Sequence, residues 1–334
     1  MSAIRLGTRA STLATTQSEM VAGLLRSEGL DVDLTTITTH GDTSTASLAA
    51  MGGIGVFTSA IHAALLEGEA DIAVHSFKDL PTGRPLGLAI GAVPARADPR
   101  DALVARDGLT LHDLPQEASV GTGSPRRAAQ LLAVRPDLTI VDIRGNVDTR
   151  LGRVKGLGRY AKGGGKEDLD AVVLAASGLA RLGHSGAVTE FLDPSIVLPA
   201  PAQGALAVEC RTADSRHGKL AKALARIDDR RTRLAATAER AVLSHLEAGC
   251  AAPIGALAQL KPVSGKSPQV LTLDVVVAAV DGSRTIREQV SVELPAEVDS
   301  ALAAAHTLGV TAAEELLDDG AADVADLKAS GSTR

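Results

Sequence analysis

The sequence predicts a soluble, multidomain α/β protein. Its 334 residues are too many for one ordinary core, so two or three domains are expected. Strand-like and helix-like periods alternate through the first two thirds. From Arg230 the pattern changes to a long helix, a hairpin and a closing helix, which reads as a smaller α+β unit.

Ile4 to Thr8 reads as a short strand, and Thr15 to Glu28 as an amphipathic helix with Met20, Val21, Leu24 and Leu25 on one side. Val32 to Thr38 alternates as a strand does. Thr58 to Glu69 is helical, Asp71 to Val74 is an apolar strand ending in HSFKD, and Leu88 to Val93 is another strand. In such patterns sites fall in the loops beyond strand ends. ADPRDALVARDG, Ala97 to Gly108, is polar and turn-rich and reads as a crossing between domains. A second α/β set follows: Ser119 to Gly121, a helix after Ser124, Leu138 to Ile143, and Asp170 to Ala175. The glycine-rich run Lys155 to Asp168 reads as a mobile surface loop. The strand ALAVEC follows LPAPAQG, Leu198 to Gly204. Arg230 to Glu247 is one long helix. Val270 to Val280 and Thr285 to Leu294 flank the hairpin turn Asp281-Gly282, and Asp299 to Leu317 closes the chain. The last residues, KASGSTR, are expected to fray. No internal repeat is visible.

Composition excludes several classes. Hydrophobic residues are 45% and charged residues 22%, as in ordinary globular proteins, which argues against disorder. Aromatics are 1%, so Leu, Val, Ile and Ala must fill the cores. No stretch supplies the roughly 20 apolar residues of a membrane span. MSAIRLGTRAS lacks the pattern of a signal peptide. Two cysteines, Cys210 and Cys250, are too few for a disulfide framework, and a reducing cytoplasm is the expected location. A net charge of -6 argues against a general nucleic-acid binder. Residues 121–160 nevertheless hold eight basic and three acidic side chains. Almost free of aromatics, that cluster suits a small polyanion better than stacked bases.

Five segments hold candidate chemistry. VGTGSPRR, Val120 to Arg127, is a strand, a small-residue turn and a helix start, which exposes backbone N–H groups to an anion. Thr122 and Ser124 add hydroxyls, and Arg126 and Arg127 add forks that match carboxylates. The other reading is an ordinary cap with two solvated arginines. DIRGNVDTR, Asp142 to Arg150, repeats the logic with Arg144 and Arg150 beside Gly145 and Asn146. Parallel strands end on the same side, so the two clusters could share one cleft. HSFKDLP places Ser76, Lys78 and Asp79 after a buried strand, as an acid–base group or as a mere surface ion pair. GTRAS offers Arg9 and Ser11 past the first strand, as an anion contact or a helix entry. EAGCAAPIG puts Cys250 between a helix end and a proline turn, where a thiol is either reactive or structural. Cys210 follows an apolar strand and reads as inert core. No metal spacing, P-loop or dinucleotide fingerprint is present.

Together GTRAS, THGD, GGIGVF, DIAVHSFKDLP, DPRDA, VGTGSPRR, IRGNVDTR, VLAASGLARLG, LPAPAQGALAVEC and EAGCAAPIG resemble, in order, the porphobilinogen deaminase (hydroxymethylbilane synthase) family. The resemblance runs from Gly7 to Gly255 and weakens beyond. It implies two lobes like type-2 periplasmic binding proteins around a cleft, plus a small α+β domain. The implied division is 1–96 with 199–222, 97–198, and 223–334, so that the ALAVEC strand returns to the first lobe.

The resemblance also implies a dipyrromethane cofactor in thioether linkage to Cys250, held by Ser76, Lys78, Thr122, Ser124, Arg126, Arg127, Arg144 and Gly145. Four porphobilinogen units are joined head to tail with loss of ammonia, and linear hydroxymethylbilane is released. Asp79 is the implied catalytic carboxylate, and Arg9, Ser11, Arg144 and Arg150 the implied substrate contacts. A cytoplasmic monomer is expected, with hand-off of product to uroporphyrinogen III synthase. The segment Gly41 to Gly55 is expected to move as the chain grows. Three positions depart from the usual basic residues, His40, Ala50 and Ile54, and Pro125 replaces a common leucine in a way that suits a first helical turn. Two competing readings are a non-catalytic organic-anion-binding module and a phosphate-ligand enzyme.

Overall fold

The computed structural model describes residues 3–37, 58–83, 85–248, 252–261 and 269–327. The expected moving segment, with His40, Ala50 and Ile54, lies outside the described residues, as do Cys250 and the terminal KASGSTR.

Five strands form the first sheet: β1 (Ile4–Thr8), β2 (Val32–Thr36), β3 (Ile72–Ser76), β4 (Leu88–Ala92) and, from far along the chain, β10 (Leu206–Arg211). Their order is β2-β1-β3-β10-β4. The second sheet takes β5 (Asp101–Ala105), β6 (Ser119–Gly121), β7 (Thr139–Val141), β8 (Ala171–Ala175) and β9 (Glu190–Phe191) in the order β7-β6-β8-β5-β9. The two sheets share one plan. In each, three parallel strands are followed by an antiparallel strand and then an outer strand antiparallel to it. The antiparallel strand is the one that has just crossed from the other lobe: β5 out of the first, β10 back into it. The duplication is one of topology, which explains why no repeat is visible in the residues.

One reading changes here. Ala97 to Gly108, read as a polar crossing, contains the fully buried strand β5. Its flanking charges disguised it, because Asp101 is itself buried inside the protein. The glycine-rich run 155–168 lies largely at the surface, as expected, and is closed by its own bonds. Gly165 N–H donates to Gly158 O (3.1 Å), Gly156 N–H to the Glu167 carboxylate (2.7 Å), and Arg153 pairs with Asp168.

Helices cover the sheets. In the first lobe these are α1 (Thr12–Ser27), capped by Ser11, and α2 (Ser59–Leu66). The second lobe carries α3 (Pro125–Val134), α4 (Val147–Leu151) and α5 (Ala176–Arg181). Helix α6 (Gly218–Ile227) returns to the first lobe, where Ala223 and Leu224 join a core with Leu6, Val21, Leu25, Ile72 and Val208. Aliphatic side chains and alanine dominate the core clusters, as a chain with so few aromatics requires, and Phe77 is the aromatic member of one.

The third unit joins α7 (Arg230–His245) and α8 (Val298–Asp318) to the antiparallel sheet β11 (Ile254–Leu260), β12 (Val270–Ala278) and β13 (Thr285–Glu293). The short α9 (Ala321–Val324) follows. Glu239 on α7 has no exposure to water. Its carboxylate takes Arg96 through two N–H groups (2.6 and 3.0 Å), the amide of Ala202 (2.5 Å) and that of Ala258 (2.8 Å). One side chain therefore ties the outgoing crossing, the return crossing and the third sheet together. Close by, Gly204 lies at φ +88, and a Cβ there would meet Ala97 O at 2.6 Å, so the two crossings touch backbone to backbone.

Removing one member of a buried ion pair leaves the other charge unpaired, at about 3–5 kcal/mol. Glu239→Gln is expected to lower the unfolding free energy by about that much, read by urea denaturation. A loss below about 1 kcal/mol would show that the crossings are held by packing alone.

Candidate functional site

The carboxyl ends of β1 and β3 lie side by side, because these strands are parallel neighbours, with Leu6 opposite Ile72 and Gly7 opposite Ala73. Arg9 and Ser11 follow the first, and Ser76, Lys78 and Asp79 the second. Ser11 serves as the α1 cap: its Oγ accepts from Ala14 N–H at 3.3 Å. Ser76 shares a hydrogen bond with the buried Gln17 at 2.9 Å. Phe77–Asp79 makes one 3₁₀ turn that leaves Asp79 exposed and Lys78 half-buried. Nε2 of His62 and Nε2 of His75 both approach one carboxylate oxygen of Glu209, buried on the same sheet, at 3.0 and 3.2 Å. Burial pushes the Glu209 carboxyl up, but the two histidines outweigh it and hold the group down at about 2.

The second lobe repeats the arrangement. Strands β6 and β7 are parallel neighbours, with Gly121 opposite Val141, so the turns at 122–124 and 142–146 adjoin as the sequence suggested. A Cβ at Gly123 would meet Ile143 O at 2.6 Å, so only glycine permits this approach. Thr122 Oγ1 accepts from Ser124 N–H (3.2 Å), and Ser124 holds the N-cap position of α3 without a side-chain capping bond, with Pro125 in the first turn. Gly145, at φ +104, precedes Asn146, which caps α4 through Thr149 N–H (2.8 Å). Arg150 Nε donates to Gly145 O (2.8 Å), and the exposed Arg144 reaches Asp142 (3.3 Å).

Arg126 and Arg127 are not the two solvated arginines of the alternative reading: both are buried, and the carboxylate that both forks meet here is the protein's own Asp101. Arg126 approaches one Asp101 oxygen at 2.8 Å and donates to Leu198 O at 2.6 Å. Arg127 places Nε and Nη2 on the other oxygen (3.0 and 2.7 Å) and Nη1 on Val173 O (3.1 Å). Only their remaining N–H groups are left for a ligand. Burial pushes the Asp101 carboxyl up, and the charges of Arg126 and Arg127 more than offset it, so it stays well below the usual carboxylate range.

Gln203 joins the lobes. Its amide donates to Asp101 (2.9 Å) and Pro99 O (2.7 Å), while its carbonyl accepts from Lys78 Nζ (3.2 Å). Burial pulls Lys78 down to about 8 against the attraction of Asp79, and it feels Arg127, Asp101 and Arg126 across the junction. Burial also lowers Arg150, which Arg127 and Arg144 repel and Asp142 attracts. Lys78, Arg126, Arg127, Arg144 and Arg150 thus form one electrostatic unit with Asp79, Asp101 and Asp142, in which positive charge predominates.

Sequence reasoning missed three participants: Asp101, Gln203 and Arg181. Arg181 on α5 donates to Gly204 O (2.7 Å), and burial lowers its pKa. The signal for Asp101 was a charged residue opening an apolar run, DALVA. Among the described residues no cluster of His, Cys, Asp or Glu could hold a metal, and no helix is long and apolar enough to cross a membrane.

The fold and site define a class: a two-lobed α/β protein with a carboxylate-bearing turn and a surplus of cations at facing strand ends. The family description "Porphobilinogen deaminase, dipyromethane cofactor binding domain" matches residues 4–219, and "Porphobilinogen deaminase, C-terminal domain" matches residues 233–318. The chain belongs to the porphobilinogen deaminase family. It is 97% identical over 334 residues to the porphobilinogen deaminase of Cutibacterium acnes (strain DSM 16379 / KPA171202), covering 100% of both chains. It is 51% identical over 355 residues to that of Micrococcus luteus, covering 96% of this chain and 94% of the other. For Leifsonia xyli the figures are 52% over 333 residues, with 98% and 95% covered. Among solved structures, a nutrient binding protein from Burkholderia cenocepacia is distantly similar. Its TM-score is 0.39 and its identity 16%, with 66% of this chain and 91% of that one covered. This is a family of transferases, which favours an enzyme over a non-catalytic binding module.

Because Asp101 is held below its unfolded value of 3.8, the stability it contributes is present above that pH and lost as pH falls below it. Urea denaturation between pH 3 and 5 is expected to show wild-type stability falling more steeply with acid than that of Asp101→Asn. Parallel pH curves would remove Asp101 from the charge network.

Proposed function

We propose that this chain joins four porphobilinogen molecules head to tail, with loss of one ammonia at each addition, and releases linear hydroxymethylbilane. The observation that supports this most directly is the path of contacts from the turn of the exposed Asp79 through Lys78 and Gln203 to Asp101 and its paired arginines, Arg126 and Arg127. Each pyrrole of the substrate, the cofactor and the product carries an acetate and a propionate, so a growing chain is strongly anionic. The donor set fits a dipyrromethane with the same side chains.

Ser76, Lys78, Thr122, Ser124, Arg126, Arg127, Arg144 and Gly145 hold the cofactor, and Arg9, Ser11, Arg144, Arg150 and Arg181 receive substrate carboxylates. Arg126 and Arg127 act largely through the geometry that Asp101 gives them. Cys250 anchors the cofactor by a thioether, ten residues beyond Arg240. When bound, the dipyrromethane supplies the terminal pyrrole carbon to which the first substrate is joined.

Asp79 gives a proton to the departing amine, its carboxylate then faces the cation left on the substrate, and it takes the pyrrole proton after attack. Lys78 beside it keeps the cluster cationic while protonated. The three-part division 1–96 with 199–222, 97–198, and 223–334 accompanies this reading, with the joining helix running on to Ile227. We further propose that the enzyme acts as a cytoplasmic monomer and passes its product to uroporphyrinogen III synthase.

Asp79→Asn is expected to keep the fold by circular dichroism and to lose about a thousandfold in turnover. Turnover within about tenfold of wild type would remove Asp79 from the chemistry. Intact mass spectrometry of the wild-type protein is expected to show a mass excess of two linked pyrroles on the Cys250 peptide, absent in Cys250→Ala. An adduct retained in that variant would place the anchor elsewhere.

A further inference from the structure

We propose that Arg240 on α7 is a positioning residue that sets the Asp79 turn from the third domain. The inference rests on the assignment of Asp79 above. The guanidinium of Arg240 donates to three backbone carbonyls of the segment that contains Asp79. These are Phe77 O at 3.0 Å and Leu80 O at 2.7 Å through Nη1, and Pro81 O at 2.6 Å through Nη2. The same group lies over the Phe77 ring, 4.5 Å from its centroid. Four contacts from one planar cation bracket Asp79 on both sides of the chain, and none of them touches its carboxylate.

A single 3₁₀ turn is held by few bonds of its own. Leu80 N–H to Phe77 O is long, at 3.4 Å, so the turn alone defines the Asp79 backbone weakly. The carbonyls that close it carry partial negative charge, which a cation at the turn's end neutralises. The flat fork of arginine meets several acceptors and stacks on an aromatic face at once, which a lysine ammonium cannot do.

Arg240 is itself firmly placed. Its neighbour Glu239 fastens α7 to both crossings and to β11, and α7 ends at His245, five residues before Cys250. One helix thus leads to the cofactor cysteine and, one turn and a half earlier, grips the turn of the catalytic carboxylate.

The test uses the primed full-length enzyme and four variants: Arg240→Lys, Phe77→Leu, Asp79→Asn, and Arg240→Lys combined with Asp79→Asn. Turnover, intact mass and amide exchange are measured on each. Displacing a reacting group by about an ångström costs on the order of a hundredfold, so Arg240→Lys is expected to lower kcat by about that factor. Its KM should stay within about threefold, since the substrate arginines are untouched. The primer mass should remain. Exchange over residues 77–83 should quicken by about tenfold, with residues 206–211 unchanged. Phe77→Leu, which removes only the stack, should cost about three- to fivefold in kcat.

In the Asp79→Asn background, Arg240→Lys should cause no further loss, because its effect passes through the carboxylate. Normal kcat in Arg240→Lys, an additive loss in the double variant, unchanged exchange over 77–83, or loss of the primer would each overturn the positioning role. Asp79→Asn measured alone separates the two readings. If it retains turnover, the Asp79 assignment fails and the positioning role falls with it. If it is inactive while Arg240→Lys is normal, only the role of Arg240 is lost.

Discussion

A carboxylate hidden from water, Asp101, is the constraint on which the cleft depends. Placing one charge in a protein interior is costly, and placing two adjacent guanidinium groups there is costlier still. Arg126 and Arg127 are tolerable only because Asp101 lies between them and Gln203 completes its shell. The result is a compact cationic centre whose geometry is set before any ligand arrives. Preorganisation of this kind matters when several anionic pyrroles must be accommodated in succession, because the protein need not reorient its dipoles at each addition.

The same logic recurs at the junction of the three domains. Glu239 gathers Arg96 and two backbone amides, and Arg240 beside it gathers three backbone carbonyls. Two consecutive residues of opposite charge thus hold opposite kinds of backbone group. One fixes the crossings that connect the lobes, and the other fixes the turn bearing Asp79. Lys78 and Gln203 complete the path from that turn to the arginine pair. The lobes are therefore electrically continuous although each has its own sheet and core.

Much of this was legible in the residues. The strand Ile4–Thr8 falls where its alternation places it, and the hairpin around Asp281-Gly282 pairs antiparallel as its turn residues demand. The clusters at Thr122 to Arg127 and Asp142 to Arg150 adjoin because parallel strands end on one side. Strand β5 escaped notice because its first residue is charged, and polarity in a sequence ordinarily signals water contact. The short helices α4 and α5 escaped because five or six residues cannot display a helical period. The shared plan of the two sheets escaped because topology can repeat when residues do not.

Residue order by itself determined the chemistry on offer: which strand ends carry arginine, hydroxyl, lysine and carboxylate groups, and the ordered motifs of the family. Those follow from local rules, since turn formers, caps and apolar periods act over a few positions. Only the tertiary structure decided how the groups are used. It turned Arg126 and Arg127 inward onto a carboxylate 25 and 26 residues away, joined Lys78 to Asp101 through Gln203, and set Arg240 against a turn some 160 residues earlier. Such pairings arise from the desolvation of charge, which depends on what folding brings alongside each group and so has no signature in the neighbouring residues.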